Sequence, residues 1–190
     1  TKIMNNIIRY ENLYLVNKIF EPEFTNKFKN FLEKGWYILG NEVIQFEKSF
    51  ADYNESKYYI GVANGLDAIE IGLLALDFQP KSEIIVPSNT YIATILAIIN
   101  AGHIPILVEP DILTYNIDSN KIIQKITNNT KAILVVHLYG NMAQMDKIQE
   151  IANMYNLEII EDCAQSHGAK FNNIKSGNFG KIGAFSFYTT

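Results

Sequence analysis

The chain has one cysteine, Cys163, and one arginine, Arg9, among its 190 residues. A single cysteine excludes an internal disulfide framework and suits a reducing compartment. A single arginine leaves almost no guanidinium for bidentate clamping of a substrate carboxylate, which weighs against an amino-acid-specific site. Positive charge is scarce as well: 16 basic residues against 20 acidic ones give a net charge of −4, with the basic residues scattered, so there is no footprint for nucleic acid. Long apolar runs are missing. The most apolar stretch, "TYIATILAIINAGHIPILVEP", is cut by Asn100, His103, Pro105 and Pro110, well short of the ~18 apolar residues of a membrane span. The N-terminal "TKIMNNIIRYENLYLVNKIF" lacks the apolar core of a signal peptide. These absences predict a cytoplasmic protein that engages neither nucleic acid nor membrane.

What is present is the composition of an ordinary globular domain, 48% hydrophobic and 19% charged, with no internal repeat, low-complexity tract or linker. Residues 1–56 read as an N-terminal helical segment. "EPEFTNKFKNFLEKG" starts its helix after a proline, places Phe24, Phe28, Phe31 and Leu32 on one face and stops at Gly35; "NEVIQFEKSFADY" repeats the pattern with Val43, Phe46 and Phe50. Between them lies the aromatic loop "GWYILG", which is open to a packing role or a substrate-facing one. Residues 57–190 alternate β-rich runs, "KYYIGVA", "EIIVPS", "IPILVEP", "KAILVVHLYG" and "LEIIEDCA", with helical patterns at about 65–78, 90–101, 118–127 and 142–156. This is an α/β domain with a mostly parallel sheet flanked by helices, whose ligand site belongs at the carboxyl ends of the strands.

The residues delivered at those ends are the candidates. "ANGLDA" puts Gly65 at a strand-to-helix turn, where Asn64 or Asp67 can cap the helix or the first free amides can hold a phosphate. Tyr91 opens the next helix and can stack on a planar ring or pack as an ordinary tyrosine. Glu161 and Asp162 end an apolar strand. The magnesium-binding strand of a P-loop hydrolase has that form too, but it requires a G-x-x-x-x-G-K-[ST] loop that the sequence does not contain. His137, Cys163 and His167 fit no standard zinc spacing, so no metal is expected. Two of the histidines read as hydrogen-bonded structural groups, and His103 as a surface turn residue.

Taken together, "GWYILGNEVIQFEKSFADY", "GVANGLDAIE", "VPSNTYIAT", "VVHLYG", "IIEDCAQSHGA" and "GAFSFYTT", in that order from Tyr37 to Thr190, resemble the DegT/DnrJ/EryC1/StrS family of nucleotide-sugar aminotransferases. The resemblance implies a fold-type-I large domain binding pyridoxal 5′-phosphate. It would set Asp162 against the pyridine nitrogen and Gln165 near the phenolic oxygen, both counted as catalytic. Gly65 and Leu66 would give backbone amides and Ser186 its hydroxyl to the phosphate, Tyr91 would cover the ring, and Tyr37, Ile38 and Tyr188 would contact substrate. Many relatives have Ser-Gly-Thr where this chain has Asn64-Gly65-Leu66, so one phosphate-bonding hydroxyl is absent and the backbone and Ser186 must do more.

The implied reaction moves an amino group from glutamate to a dTDP-linked keto-deoxysugar, with "NGLDA" and "GWYILG" favouring 3-keto over 4-keto substrates, in unusual-sugar biosynthesis for a lipopolysaccharide or S-layer glycan. A homodimer is expected on the same ground. The lysine that carries the cofactor as a Schiff base should follow directly after Thr190. A histidine there would point to a sugar dehydratase of the same fold, and a natural end at Thr190 to a non-catalytic sugar-nucleotide-binding module.

Overall fold

A computed structural model of the chain describes residues 11–188. Arg9, the rest of residues 1–10 and the turn residues Thr189 and Thr190 lie outside them. The chain divides into two compact units, Thr1–Phe46 and Glu47–Thr190.

The first unit holds the short helix α1 (Leu13–Asn17), helix α2 (Glu21–Lys34) and the start of α3 (Asn41–Asn54). Pro22, Glu21 and Glu23 suit the first turn of α2 because a missing N–H costs nothing there and acidic groups meet the positive helix end. Gly35 ends α2 in the left-handed conformation at φ 66°, as its sequence position predicts. The apolar stripe of α2 forms as expected, but Phe24, Phe28 and Leu32 are exposed. No residue of α2 is buried. In the loop that follows, the Trp36 indole donates to Ile38 O and Tyr37 Oη donates to Leu32 O.

The second unit is built on a parallel five-stranded sheet of order β2-β1-β3-β4-β7. Its strands are β1 (Glu83–Pro87), β2 (Ile104–Val108), β3 (Thr130–Val136), β4 (Glu158–Asp162) and β7 (Ile182–Ala184); β5 (Lys170–Phe171) and β6 (Ile174–Lys175) form a small separate hairpin. Helix α4 (Gly65–Ala75) precedes β1, and helices α5 (Ile92–Asn100), α6 (Ser119–Ile122) and α7 (Met145–Tyr155) connect β1 to β2, β2 to β3 and β3 to β4. Strand alternation explains the unbroken apolar runs. Ile84, Val86, Leu134 and Ile160 pack with Ile69, Leu73 and Ile98 of α4 and α5. Ile85, Ile133, Val135 and Ile159 pack with Met145, Ile148 and Ile151 of α7. Both faces are covered, and each fully buried aliphatic side chain contributes about 1.5–3 kcal/mol of transfer free energy.

Three expectations change. Residues 57–63 form no strand, because a β-prone run becomes a strand only when a neighbouring strand pairs with it; among the described residues none does, and Gly61 N donates instead to the Glu47 side chain. The helix expected at 118–127 is a single α-turn, α6, continued by a 3₁₀ turn over Ile123–Lys125. His103 is not a surface residue: only 7% exposed, it packs edge-on against Phe78 at 6.0 Å. Its Nδ1 lacks a partner, and burial lowers its pKa. No helix among the described residues is long and apolar enough to cross a membrane.

Candidate active site

The carboxyl ends of the strands converge with the amino ends of α4 and α5. Asn64 caps α4, its Oδ1 accepting from Asp67 N at 2.9 Å, while Asn64 O accepts from Ala68 N. The amides of Gly65 and Leu66 therefore remain without an acceptor within the helix, at the positive end of its dipole. The cap reading of "ANGLDA" holds, with the Asn64 side chain as the cap, and the two amides after it stay open to an anion. A Cβ on Gly65 would lie 2.9 Å from Ser186 Cβ, so only glycine lets the helix end approach the chain leaving β7 this closely. Ser186 Oγ accepts from Tyr188 N at 3.3 Å, which leaves the hydroxyl hydrogen free for an anion.

Asp162 ends β4 and is 8% exposed. Its Oδ1 accepts from Ala164 N at 3.1 Å and its Oδ2 from Thr94 Oγ at 2.8 Å, while His137 N donates to its backbone carbonyl. Burial pushes its carboxyl above the ordinary aspartate value, and the Ala164 and Thr94 hydrogen bonds pull the other way. Among the described residues this anchored carboxylate makes no ion pair within 4 Å, although His137 lies near enough to favour its charge. Gln165 lies three residues on, and its Oε1 accepts from Tyr139 N at 2.7 Å. That bond fixes the amide and turns its two N–H hydrogens outward as donors. Tyr139 adopts φ 56°, an uncommon conformation for a tyrosine, at the turn that supplies this amide.

Glu161 points the opposite way along β4 and is fully buried. Its Oε1 accepts from Phe179 N and Gly180 N, and its Oε2 from Gly177 N and His137 Nε2. His137 Nδ1 accepts from Ala143 N, which puts the ring hydrogen on Nε2. His137, Glu161 and Cys163 offer ligand atoms within 4.8 Å of one another. With every Glu161 oxygen already taken by two donors, this group reads as a clamp on the 177–180 loop rather than a metal centre. His167 lies elsewhere, its ring 5.0 Å from Phe187 and 5.5 Å from Phe185.

The structure thus brings Gly65, at the start of α4, against Ser186, and places Asp162 at the end of β4 with Gln165 in the segment that follows it. Tyr91 is the N-cap residue of α5, 77% exposed and one turn ahead of Thr94. Tyr188 is exposed beside Ser186, and Tyr37 and Ile38 belong to the first unit. These donors fit pyridoxal phosphate: amides and a hydroxyl for the phosphate, a carboxylate for the ring nitrogen, an amide for the phenolic oxygen. The sequence reading missed Thr90, Thr94, Tyr139 and the clamp partners of Glu161. The spacing of Thr90 and Thr94, four apart at a helix start, was the one available signal.

The model of the DegT/DnrJ/EryC1/StrS aminotransferase family matches residues 18–190. A dTDP-3-amino-3,6-dideoxy-alpha-D-galactopyranose transaminase from Aneurinibacillus thermoaerophilus is 53% identical over 95% of this chain and 50% of its own length. A GDP-perosamine synthase from Escherichia coli O157:H7 is 42% identical over 90% and 48%. The crystal structure of S. venezuelae DesV in complex with a ketimine intermediate superposes with a TM-score of 0.91 at 38% identity, covering 95% of this chain and 49% of that one. The chain spans about half the length of the curated relatives it matches. With the family model matched over residues 18–190 and a relative 53% identical over 95% of the chain, the chain belongs to the DegT/DnrJ/EryC1/StrS aminotransferase family.

Proposed function

We propose that the full protein is a pyridoxal-phosphate-dependent aminotransferase that moves an amino group from glutamate to a dTDP-linked keto-deoxysugar, at carbon 3 rather than carbon 4. The observation that carries this reading is the buried, hydrogen-bonded Asp162 carboxylate at the carboxyl end of β4, next to β7, after which the chain brings Ser186 against Gly65. The activity named for the 53%-identical relative, a dTDP-3-amino-3,6-dideoxy-alpha-D-galactopyranose transaminase, supports the dTDP-linked, 3-amino part. A cytoplasmic homodimer serving glycan synthesis follows from the family resemblance.

When bound, the pyridoxal ring supplies an electron sink that stabilises charge at the reacting carbon. Asp162 would keep the ring nitrogen protonated, which that sink requires. The Gly65 and Leu66 amides and the Ser186 hydroxyl would anchor the phosphate, and Gln165 Nε2 would donate to the phenolic oxygen. Tyr91 would cover one ring face, and Tyr37, Ile38 and Tyr188 would contact the sugar nucleotide. The lysine expected after Thr190 would hold the cofactor and carry the proton between carbon atoms.

The test is an amination assay of the full-length protein with glutamate and a panel of dTDP- and GDP-linked 3-keto and 4-keto sugars, followed by product analysis. Amination of a dTDP-linked 3-keto sugar supports the proposal, and activity confined to 4-keto sugars would reverse the positional assignment. Borohydride reduction and peptide mapping should place a pyridoxyl group on the residue after Thr190. A histidine at that position would indicate the dehydratase instead.

A further inference from the structure

Asp162 lies at the end of a directional hydrogen-bond chain. Thr94 is buried in the first turn of α5, and its Oγ is 2.8 Å from Asp162 Oδ2 across 68 residues of sequence. A carboxylate only accepts, so Thr94 donates, and its single hydroxyl hydrogen is spent there. Thr90 Oγ lies 2.8 Å from Thr94 Oγ. With the Thr94 hydrogen committed, Thr90 must be the donor in that contact. The chain therefore runs from Thr90 to Thr94 to Asp162 Oδ2, while Ala164 N holds Oδ1. Both carboxylate oxygens are pinned from opposite sides by two different elements, which fixes the plane of the group.

We infer that Thr94, polarised by Thr90, is a positioning residue that holds the Asp162 carboxylate in the orientation needed to grip the ring nitrogen of pyridoxal phosphate. The inference rests on the cofactor reading given above. Without the Thr94 hydroxyl, Oδ2 is left buried without a donor and the carboxylate is free to turn about its remaining bond to Ala164 N. Burial raises the Asp162 carboxyl, and the Ala164 and Thr94 bonds oppose that rise, so losing one of them also favours the neutral form, which grips a pyridinium poorly.

The test compares equilibrium binding of pyridoxal phosphate and of its 1-deaza analogue, which has carbon in place of the ring nitrogen, to the full-length wild-type protein, Thr94→Val and Thr94→Ser. The expected result is a fall of about tenfold in affinity for pyridoxal phosphate in Thr94→Val, the lower edge for a hydrogen bond to a charged group. Affinity for the deaza analogue should not change, and Thr94→Ser should restore the wild-type ratio. Equal losses for both ligands would show a merely structural threonine and overturn the inference, as would wild-type binding of both. Should Thr94→Val fail to fold, Thr90→Val removes only the donor behind Thr94. It should lower the same ratio by a smaller factor, and an unchanged ratio would again overturn the inference. A wild-type protein that does not bind pyridoxal phosphate at all would instead overturn the cofactor reading, and this inference with it.

Discussion

Asp162 answers two opposed demands, since the site needs its charge and the fold is burdened by it. On the proposed function, replacing it with alanine removes the group that would keep the ring nitrogen protonated. Asp162→Ala should therefore lower the amination rate by several orders of magnitude while far-ultraviolet circular dichroism stays native. Stability should respond in the other direction. The folded carboxyl is raised by burial, so the cofactor-free fold binds this proton more tightly than the unfolded chain does. Its contribution to stability is full below about 3.8, the ordinary value, and is lost as the pH rises through the folded value. Asp162→Asn should then leave the cofactor-free protein at least as stable as wild type at pH 7, with a flatter rise of Tm on acidification. A clear loss of Tm at pH 7 would contradict the burial argument. Ser186 has no such conflict. In the proposed site its hydroxyl would make one bond to the phosphate, and Ser186→Ala should weaken pyridoxal phosphate binding by about 1.5–3 kcal/mol, read by absorbance titration.

Among the elements, β4 is the pivot, because its last two residues serve different faces. Asp162 looks to the ligand side, whereas Glu161 ties down the loop that leads into β7 and on to Ser186. Glu161→Ala would strand three backbone N–H groups and His137 Nε2 in a buried site, at a cost of about 3–5 kcal/mol. Amide exchange at Gly177, Phe179 and Gly180 should accelerate in that variant well before exchange in β1 or β3. Uniform acceleration would mean that Glu161 supports the whole sheet rather than this loop. The acidic pair was legible in the sequence, and the alternation of a strand already says that its members point apart. What could not be read was the partner of Glu161, since "SGNFGKIG" shows glycines but not which amides they free. Residues 57–63 failed for a related reason. Their β propensity is local, but a strand is a property of two segments. The α/β order, the parallel sheet, the end of α2 and the start of α4 were legible because each rests on a local signal, namely period, left-handed glycine or cap residue.

On the scale of the molecule, the single thiol offers a measure of how the site and the fold are coupled. Cys163 follows Asp162, is fully buried, and its thiol is pushed well above the ordinary range, first by burial and then by the neighbouring Glu161 and Asp162 carboxylates. Alkylation therefore requires both exposure and deprotonation, and neither is available while the end of β4 stays paired with β7, where Cys163 N donates to Ala184 O at 2.7 Å. Iodoacetamide should label the native protein only through opening of this end of the sheet, at a rate that rises with denaturant. Ligand that binds the closed form must suppress that opening by mass action. Saturation with pyridoxal phosphate at 100 times its Kd should slow labelling by about 100-fold, equivalent to about 2.7 kcal/mol. In Asp162→Ala the same concentration should protect far less, because the weakened site no longer reaches saturation. Labelling of wild-type protein that ignores the cofactor would mean that β4 opens independently of the site, and would separate the ligand cradle from the sheet edge that this structure joins.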